Sequence, residues 1–207
     1  MGRTSRAGTG LSLKMRWMIC RARFSTPGLL TRFDERKVVS IVAAINGGMA
    51  ILTISFFAWL TDLPLVFPAL GPSTFILFSA PLSVAAAPRS VILGHLSALA
   101  CGTVVWHGRR LLLVEATLAE GGDWTVYLGA ALALALACLV LVRLGCPHPP
   151  ACASSLVVAL GGVTAWRDLL LMALAVIWLA MQAVIMNRLA GVSMPIWSYH
   201  PREPNSP

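Results

Sequence analysis

Acidic residues are scarce in this chain. Eight Asp and Glu stand against sixteen Lys and Arg in 207 residues, and charged residues of both signs make up only 12%. A water-soluble domain carries about 25%, so the shortage excludes an ordinary soluble fold. Hydrophobic residues make up 57% and the mean hydropathy is +0.79. The bilayer is the solvent that suits such a chain. Also missing are the spacings that chemistry needs. The five cysteines (Cys20, Cys101, Cys138, Cys146 and Cys152) are odd in number and include no Cys-x-x-Cys pair; four lie in or next to apolar segments, where cysteine behaves as a small hydrophobe. Cys146, His148 and Cys152 lie close together, but the tight proline spacing and the lack of a fourth ligand argue against a metal site. There is no phosphate-binding glycine loop, no Ser/His/Asp order and no pair of carboxylates in the apolar segments. The sequence therefore predicts neither an enzyme nor a cofactor.

The positive charge is concentrated. Nine of the sixteen bases precede Val38: Arg3, Arg6, Lys14, Arg16, Arg21, Arg23, Arg32, Arg36 and Lys37. No aromatic-basic pattern of a nucleic-acid module accompanies them, so no nucleic acid is expected. Beside a membrane span they read as a positive-inside signal that keeps the N-terminus cytoplasmic, with anionic lipid as a further contact. The first 31 residues contain no acid and are rich in Arg, Ser and Thr. That composition fits an organelle transit peptide as well as a true start at Met15 or Met18.

Six apolar segments follow, at 38–60, 65–87, 91–106, 126–142, 151–163 and 169–186. A membrane helix needs about 20 residues. The first segment meets that length, and the third, fourth and sixth meet it nearly or with their flanks. The second is broken by Pro68, Gly71, Pro72 and Pro81, and the fifth is short. The pattern is long, broken, long, then long, broken, long. A polar connector at 107–125, with Glu115, Glu120, Asp123 and a Gly121-Gly122 turn, divides the halves. The expected fold is all-α, a polytopic transmembrane bundle of two similar halves. If the broken segments cross, there are six spans and inverted halves; if they are re-entrant, there are four. The positive-inside rule does not separate these, and segment length favours re-entrant or partly crossing segments. Gly129, Ala133 and Ala137 make one small-residue face, and Gly94, Ala98 and Gly102 another, both suited to close helix packing.

The broken segments read FPALGPSTFILFSAP (67–81) and GCPHPPACASSLVVALGG (145–162). Short broken helices at matching positions of two halves mark a solute site in transporters, because irregular backbone at membrane depth is tolerated where it is buried or lines a cavity. Pro150 suits the first position of a helix, and Pro72 after Gly71 suggests the same for the second segment. Each helix would start with free backbone N–H groups, a partial positive charge that favours an anion. Ser73 and Thr74 add hydroxyl donors. Arg89 opposes the dipole of its own helix, so it either reaches a lipid headgroup or guards an anion path. His95 lies inside a span, where an ionisable residue is a functional candidate. Asp168 reads as a helix cap and Asp62 as interfacial.

Three blocks occur together here: Pro68-Ala69-Leu70-Gly71-Pro72-Ser73, then Pro88-Arg89 with Gly94-His95, then His148-Pro149-Pro150-Ala151. In that order and spacing they resemble the HPP family of integral membrane proteins, over residues 38–186. The family pattern has Gly and Thr after its HPPA, where this chain has Cys152 and Ser154. It has Gln before and Asn after its Pro-Arg, where this chain has Ala87 and Ser90. The resemblance implies a four-span membrane protein and, from plant and cyanobacterial members, nitrite transport. The C-terminal CBS domains of some members find no counterpart after Met186.

The expected organisation is a basic cytoplasmic tail (1–37), a transmembrane domain (38–187) and a Pro-rich tail (188–207). The expected location is a bacterial inner membrane with the N-terminus inside, or an organelle membrane if a transit peptide is present. The expected function is a transporter or channel for a small, nitrite-like anion. The alternative is a membrane assembly or regulatory subunit that moves no solute. The candidate solute site comprises Gly71, Pro72, Ser73, Thr74, Arg89, His95, His148, Pro149, Pro150, Ala151 and Ser154. The expected partners are a small anion and the lipid bilayer. A homo-oligomer also suits a bundle this small.

Overall fold

A computed structural model describes residues 25–112 and 124–199. The basic stretch 1–24, most of the polar connector (113–123) and the tail 200–207 lie outside the described residues. Among those described, the regular structure is helical: α1 (Thr26–Leu30), α2 (Glu35–Thr61), α3 (Leu70–Ser79), a 3-10 turn (Val84–Ala86), α4 (Pro88–Leu111), α5 (Trp124–Arg143), α6 (Pro150–Ala159) and α7 (Trp166–Leu189). Helices α2, α4, α5 and α7 are long and apolar enough to cross a membrane. The 24 residues of α4 extend about 36 Å at 1.5 Å per residue.

Local chemistry sets the helix ends. The Asp34 carboxylate accepts from the Lys37 N–H at 3.1 Å and caps α2. Asp62 then ends α2 in the left-handed region, at φ 53°. Pro88 occupies the first turn of α4, where its missing N–H costs nothing. Gly145 follows α5 with φ 60°, a turn that favours glycine. Asp168 lies in the first turn of α7 without capping it; the N-cap is Ala165.

Hydrogen bonds across the bundle define its two ends. The Thr26 N–H donates to the Ala190 carbonyl at 2.8 Å, so α2 starts where α7 finishes. The Arg89 N–H donates to the Trp197 carbonyl at 3.0 Å, which places the start of α4 at that near end too. At the far end, Thr61, Leu63 and Leu65 line a recess with Leu171 and Leu174 of α7. The chain then turns back through the bundle. Ser79, Ala80 and Ser83 emerge beside Pro27, Glu35 and Gly191 at the near end. Segment 62–87 therefore passes from one end to the other. The second broken segment also passes through, in the opposite sense. Gly145 sits at the near end against Arg89, Ala151 packs at Gly94, and Val158 packs at Gly102 further along α4.

Among the described residues the chain thus passes through the bundle six times, four of them by long helices alone. Of the two alternatives left open, this order of passes matches the one in which the short segments cross with their flanks rather than turn back. Length misleads because non-helical chain covers up to about 3.3 Å per residue against 1.5 Å in a helix. The irregular stretch before α3 spans the far half of the bundle, and α3 spans the near half.

Helix α3 packs on α2 and α7, whereas α6 packs on α5 and α4. Helix α4 thus lies on the second short helix, and α7 on the first. Helices α4 and α7 touch, as do α3 and α6. Exchanging α2, α3 and α4 for α5, α6 and α7 reproduces these contacts. Gly129, Ala133 and Ala137 are buried on α5. Gly94 and Gly102 lie against α6, where a Cβ on Gly102 would stand 2.6 Å from the Ser155 carbonyl oxygen.

Candidate functional site

Ser73 lies in the first turn of α3, and its hydroxyl oxygen stands 2.9 Å from the Ala69 carbonyl oxygen. The same oxygen lies 2.9 Å from Nε2 of His95 on α4 and 3.0 Å from Nε2 of His148, just before α6. His95 Nδ1 reaches the Ser154 hydroxyl on α6 at 2.7 Å. His148 Nδ1 reaches the Ala85 carbonyl, in the 3-10 turn, at 2.7 Å. The two imidazole rings are 5.1 Å apart between centroids and inclined at 57°. Ser73, His95, His148 and Ser154 each have no exposed surface. His95 is seven residues past Pro88, so the network lies about 10 Å along α4 from the near end. Gly94 makes the approach possible: a Cβ there would stand 3.2 Å from that of His148.

Proton accounting orders this network. A carbonyl only accepts, so His148 Nδ1 carries a proton and donates it to Ala85. In a neutral His148 ring, Nε2 is then an acceptor for the Ser73 hydroxyl. His95 Nε2–H donates to the Ser73 oxygen, and His95 Nδ1 accepts from Ser154. The chain runs Ser154, His95, Ser73, His148, Ala85, with every link donating the same way. Ser73 has one proton but two acceptors, His148 and the Ala69 carbonyl. If His148 takes a second proton, its Nε2–H donates to Ser73, and the Ser73 proton turns to Ala69. All three contacts at Ser73 are then used. The cluster can therefore gain a proton by rotating one hydroxyl. Two charged rings at 5.1 Å would repel, which limits the pair to one added proton.

The other candidate residues lie around this cluster. Thr74 is buried, but its hydroxyl donates to the Leu70 carbonyl at 2.7 Å. Gly71 and Pro72 are exposed, and Gly71 lines a groove between α2 and α3. Pro149 is exposed, Pro150 is buried at the start of α6, and Ala151 is buried against Gly94. Pro72 is the third residue of α3 rather than its first. The Cys146 thiol faces the Leu144 carbonyl and Cys152 faces Cys138 at 3.8 Å, so these thiols and His148 do not converge.

Two expectations need correction. The short helices do not present free N–H groups. The Leu70 and Gly71 N–H groups bond to the Phe67 and Pro68 carbonyls at 3.0 and 3.3 Å. Those of Ala151 and Cys152 bond to His148 and Pro149 at 2.9 and 3.0 Å. Ala69 and Pro149 have helical dihedrals, so each chain enters through a tight turn that satisfies the first donors. Arg89, in turn, does not join the cluster. Its guanidinium donates to the Leu144 and Gly145 carbonyls at 2.9 and 3.0 Å. It stabilises the negative end of α5 instead of its own helix. Arg89→Ala is expected to cost about 1 kcal/mol of stability, with Arg89→Lys recovering part of it, as read by thermal unfolding in detergent.

Sequence reasoning passes over three contributors. The Ala85 carbonyl carries no sequence signature. Asn187 is buried and donates to the Leu77 carbonyl at 3.1 Å, tying α7 to α3. Gln182 donates to the Thr53 hydroxyl, tying α7 to α2. A polar residue inside an apolar span is the signal for both.

No curated protein and no solved structure matches the chain. The transmembrane region of HPP proteins matches residues 34–195, from the cap of α2 to beyond α7. With four helices of membrane-spanning length inside that range, the chain belongs to the HPP family and is an integral membrane protein.

Proposed function

We propose that this protein carries a small inorganic anion of the nitrite type across its membrane. In this reading Ser73, His95, His148 and Ser154 form the central site. The observation that carries it is the buried His–Ser–His bridge joining both broken helices to α4 inside the bundle. Buried ionisable residues within a membrane bundle mark solute and proton paths. A small oxyanion entering the cluster would replace Ser73 as the partner of the imidazole nitrogens. A proton taken up by His148 would offset its charge. Such a protein is a carrier and not a catalyst. The closed network represents the state between openings.

The N-terminus is cytoplasmic in this reading. Arg89, Arg143 and Arg188 lie at the near end with the start of α2, while Arg109, Arg110 and Arg167 lie at the far end. Arg32, Arg36 and Lys37 add to the near end, which makes it the inside by the positive-inside rule. The exchange of neighbours between halves supports an inverted duplication, the architecture in which alternating access is common.

A second reading has one observation in its favour. The cluster satisfies its own polar atoms, and a saturated network can serve only to lock helices together. The protein would then be a non-transporting assembly or regulatory subunit. His148→Gln separates the two. A Gln amide can keep a hydrogen bond to Ser73 but cannot titrate. Transport predicts loss of nitrite uptake in proteoliposomes with folding retained; a helix lock predicts that the variant works normally in the cell.

A further inference from the structure

Two thiols outside the polar cluster face each other across two helices. Cys138 lies on α5 and Cys152 in the first turn of α6, and their sulfurs stand 3.8 Å apart. Cys138 is exposed and Cys152 is half-buried, whereas Cys101 and Cys146 are buried. The Cys146 thiol is turned to the Leu144 carbonyl at 3.5 Å. Helices α5 and α6 pack on each other. Cys152 also packs on a small apolar cluster formed by Ala98, Cys101, Ala137, Leu141 and Ala151. Packed helices therefore set the distance between the two sulfurs, not the chance approach of a loop. Cys138 comes five residues before Arg143, the last residue of α5. That places it about 7.5 Å from the near end of the helix, within reach of a small uncharged oxidant.

The sulfurs of a disulfide stand about 2.05 Å apart, so about 1.8 Å of approach remains. Two side chains rotating towards each other can supply it. We infer that Cys138 and Cys152 form a reversible oxidation site, whose disulfide clamps α6 to α5. The oxidant is a peroxide. The Cys138 sulfur, as thiolate, attacks one peroxide oxygen and the O–O bond breaks. The leaving hydroxide takes the thiol proton and departs as water, and Cys138 becomes a sulfenic acid. The Cys152 sulfur then attacks the Cys138 sulfur. The S–S bond forms, the S–O bond breaks, and a second water leaves with the Cys152 proton. In sum the thiols lose two protons and two electrons, and the peroxide becomes two waters. A dithiol reverses the step by exchange and keeps the oxidation as its own disulfide. Cys152 lies four residues after His148 and two before Ser154. The clamp therefore holds the stretch that supplies two members of the polar cluster.

The test uses the purified full chain. Hydrogen peroxide is added to the folded protein, remaining thiols are blocked, and the chain is cut with trypsin. Cleavage after Arg143 separates peptide 111–143, which holds Cys138, from peptide 144–167, which holds Cys146 and Cys152. The two peptides are expected to remain linked until dithiothreitol is added. Free thiols counted by maleimide after unfolding fall by two of the five. Cys138→Ser and Cys152→Ser each abolish the link, and Cys146→Ala keeps it. Oxidation raises the unfolding temperature of the wild type, as a cross-link should, and not that of Cys138→Ser. No link in the folded wild type overturns the site. So does a link that survives in Cys152→Ser, or a covalent dimer in place of the internal bond. A link that leaves the unfolding temperature unchanged overturns the clamp.

Discussion

Ser73→Ala is expected to abolish anion uptake and to lower stability by about 2–5 kcal/mol, because two buried imidazole nitrogens lose a partner at once. The hydroxyl is 2.9 Å from His95 Nε2 and 3.0 Å from His148 Nε2. No water replaces it easily, since all three side chains are fully buried. The loss should be seen in thermal unfolding and in uptake corrected for the amount of folded protein. Removing Thr74's hydroxyl makes the contrast. It bonds only to the Leu70 carbonyl of its own helix, so Thr74→Val should leave uptake within about twofold, as suits a side chain swapped for one of equal volume where no long-range partner is lost. If both variants behave alike, the hydroxyl of Ser73 has no special place in function.

Gly102→Val is expected to prevent the bundle from assembling. A Cβ at this position already stands 2.6 Å from the Ser155 carbonyl oxygen and 2.8 Å from Val158 Cβ. Neither is a flexible side-chain end, so α6 would have to move away from α4. Overpacking costs about 1–3 kcal/mol in an adaptable core; here the obstacle is backbone and the cost lies at or above that range. Displacing α6 also carries Ser154 and His148 away from the cluster. Gly48→Ala is the control. That glycine sits inside helix α2, and a Cβ added to it meets nothing within 4 Å. It should be neutral or gain about 0.5–1 kcal/mol from helix propensity. Yield of monodisperse protein and thermal unfolding distinguish the two outcomes.

These two positions show how differently the chain advertises its parts. Gly102 is legible as part of a small-residue face, because spacing by four residues on a helix needs no knowledge of the partner. The breaks at Pro68–Pro72 and His148–Pro150 are legible because proline and glycine are conspicuous in apolar segments. Ser73, His95, His148 and Ser154 can each be named from residue type and position. Their meeting at one point cannot, since it requires α3 and α6 to traverse the bundle in opposite senses, α3 packing on α7 and α6 on α4. Arg89 misleads for a related reason. Its partners are the carbonyls of Leu144 and Gly145, and a carbonyl looks the same at every residue. The expected anion cradles fail on two backbone dihedrals. Ala69 and Pro149 are helical, which closes the first turns and consumes the donors. Arg109 stands out as a charge near the end of an apolar segment, and among the described residues its guanidinium has only the Trp106 ring beside it.

The most direct test of the central claim is uptake of nitrite into proteoliposomes containing the purified protein, compared with nitrate and formate at two pH values. The predicted result is saturable nitrite uptake that changes with pH and is lost in His148→Gln although that variant stays folded. No flux of any of the three anions above that of empty liposomes, or a His148→Gln variant that transports as well as the wild type, would contradict it.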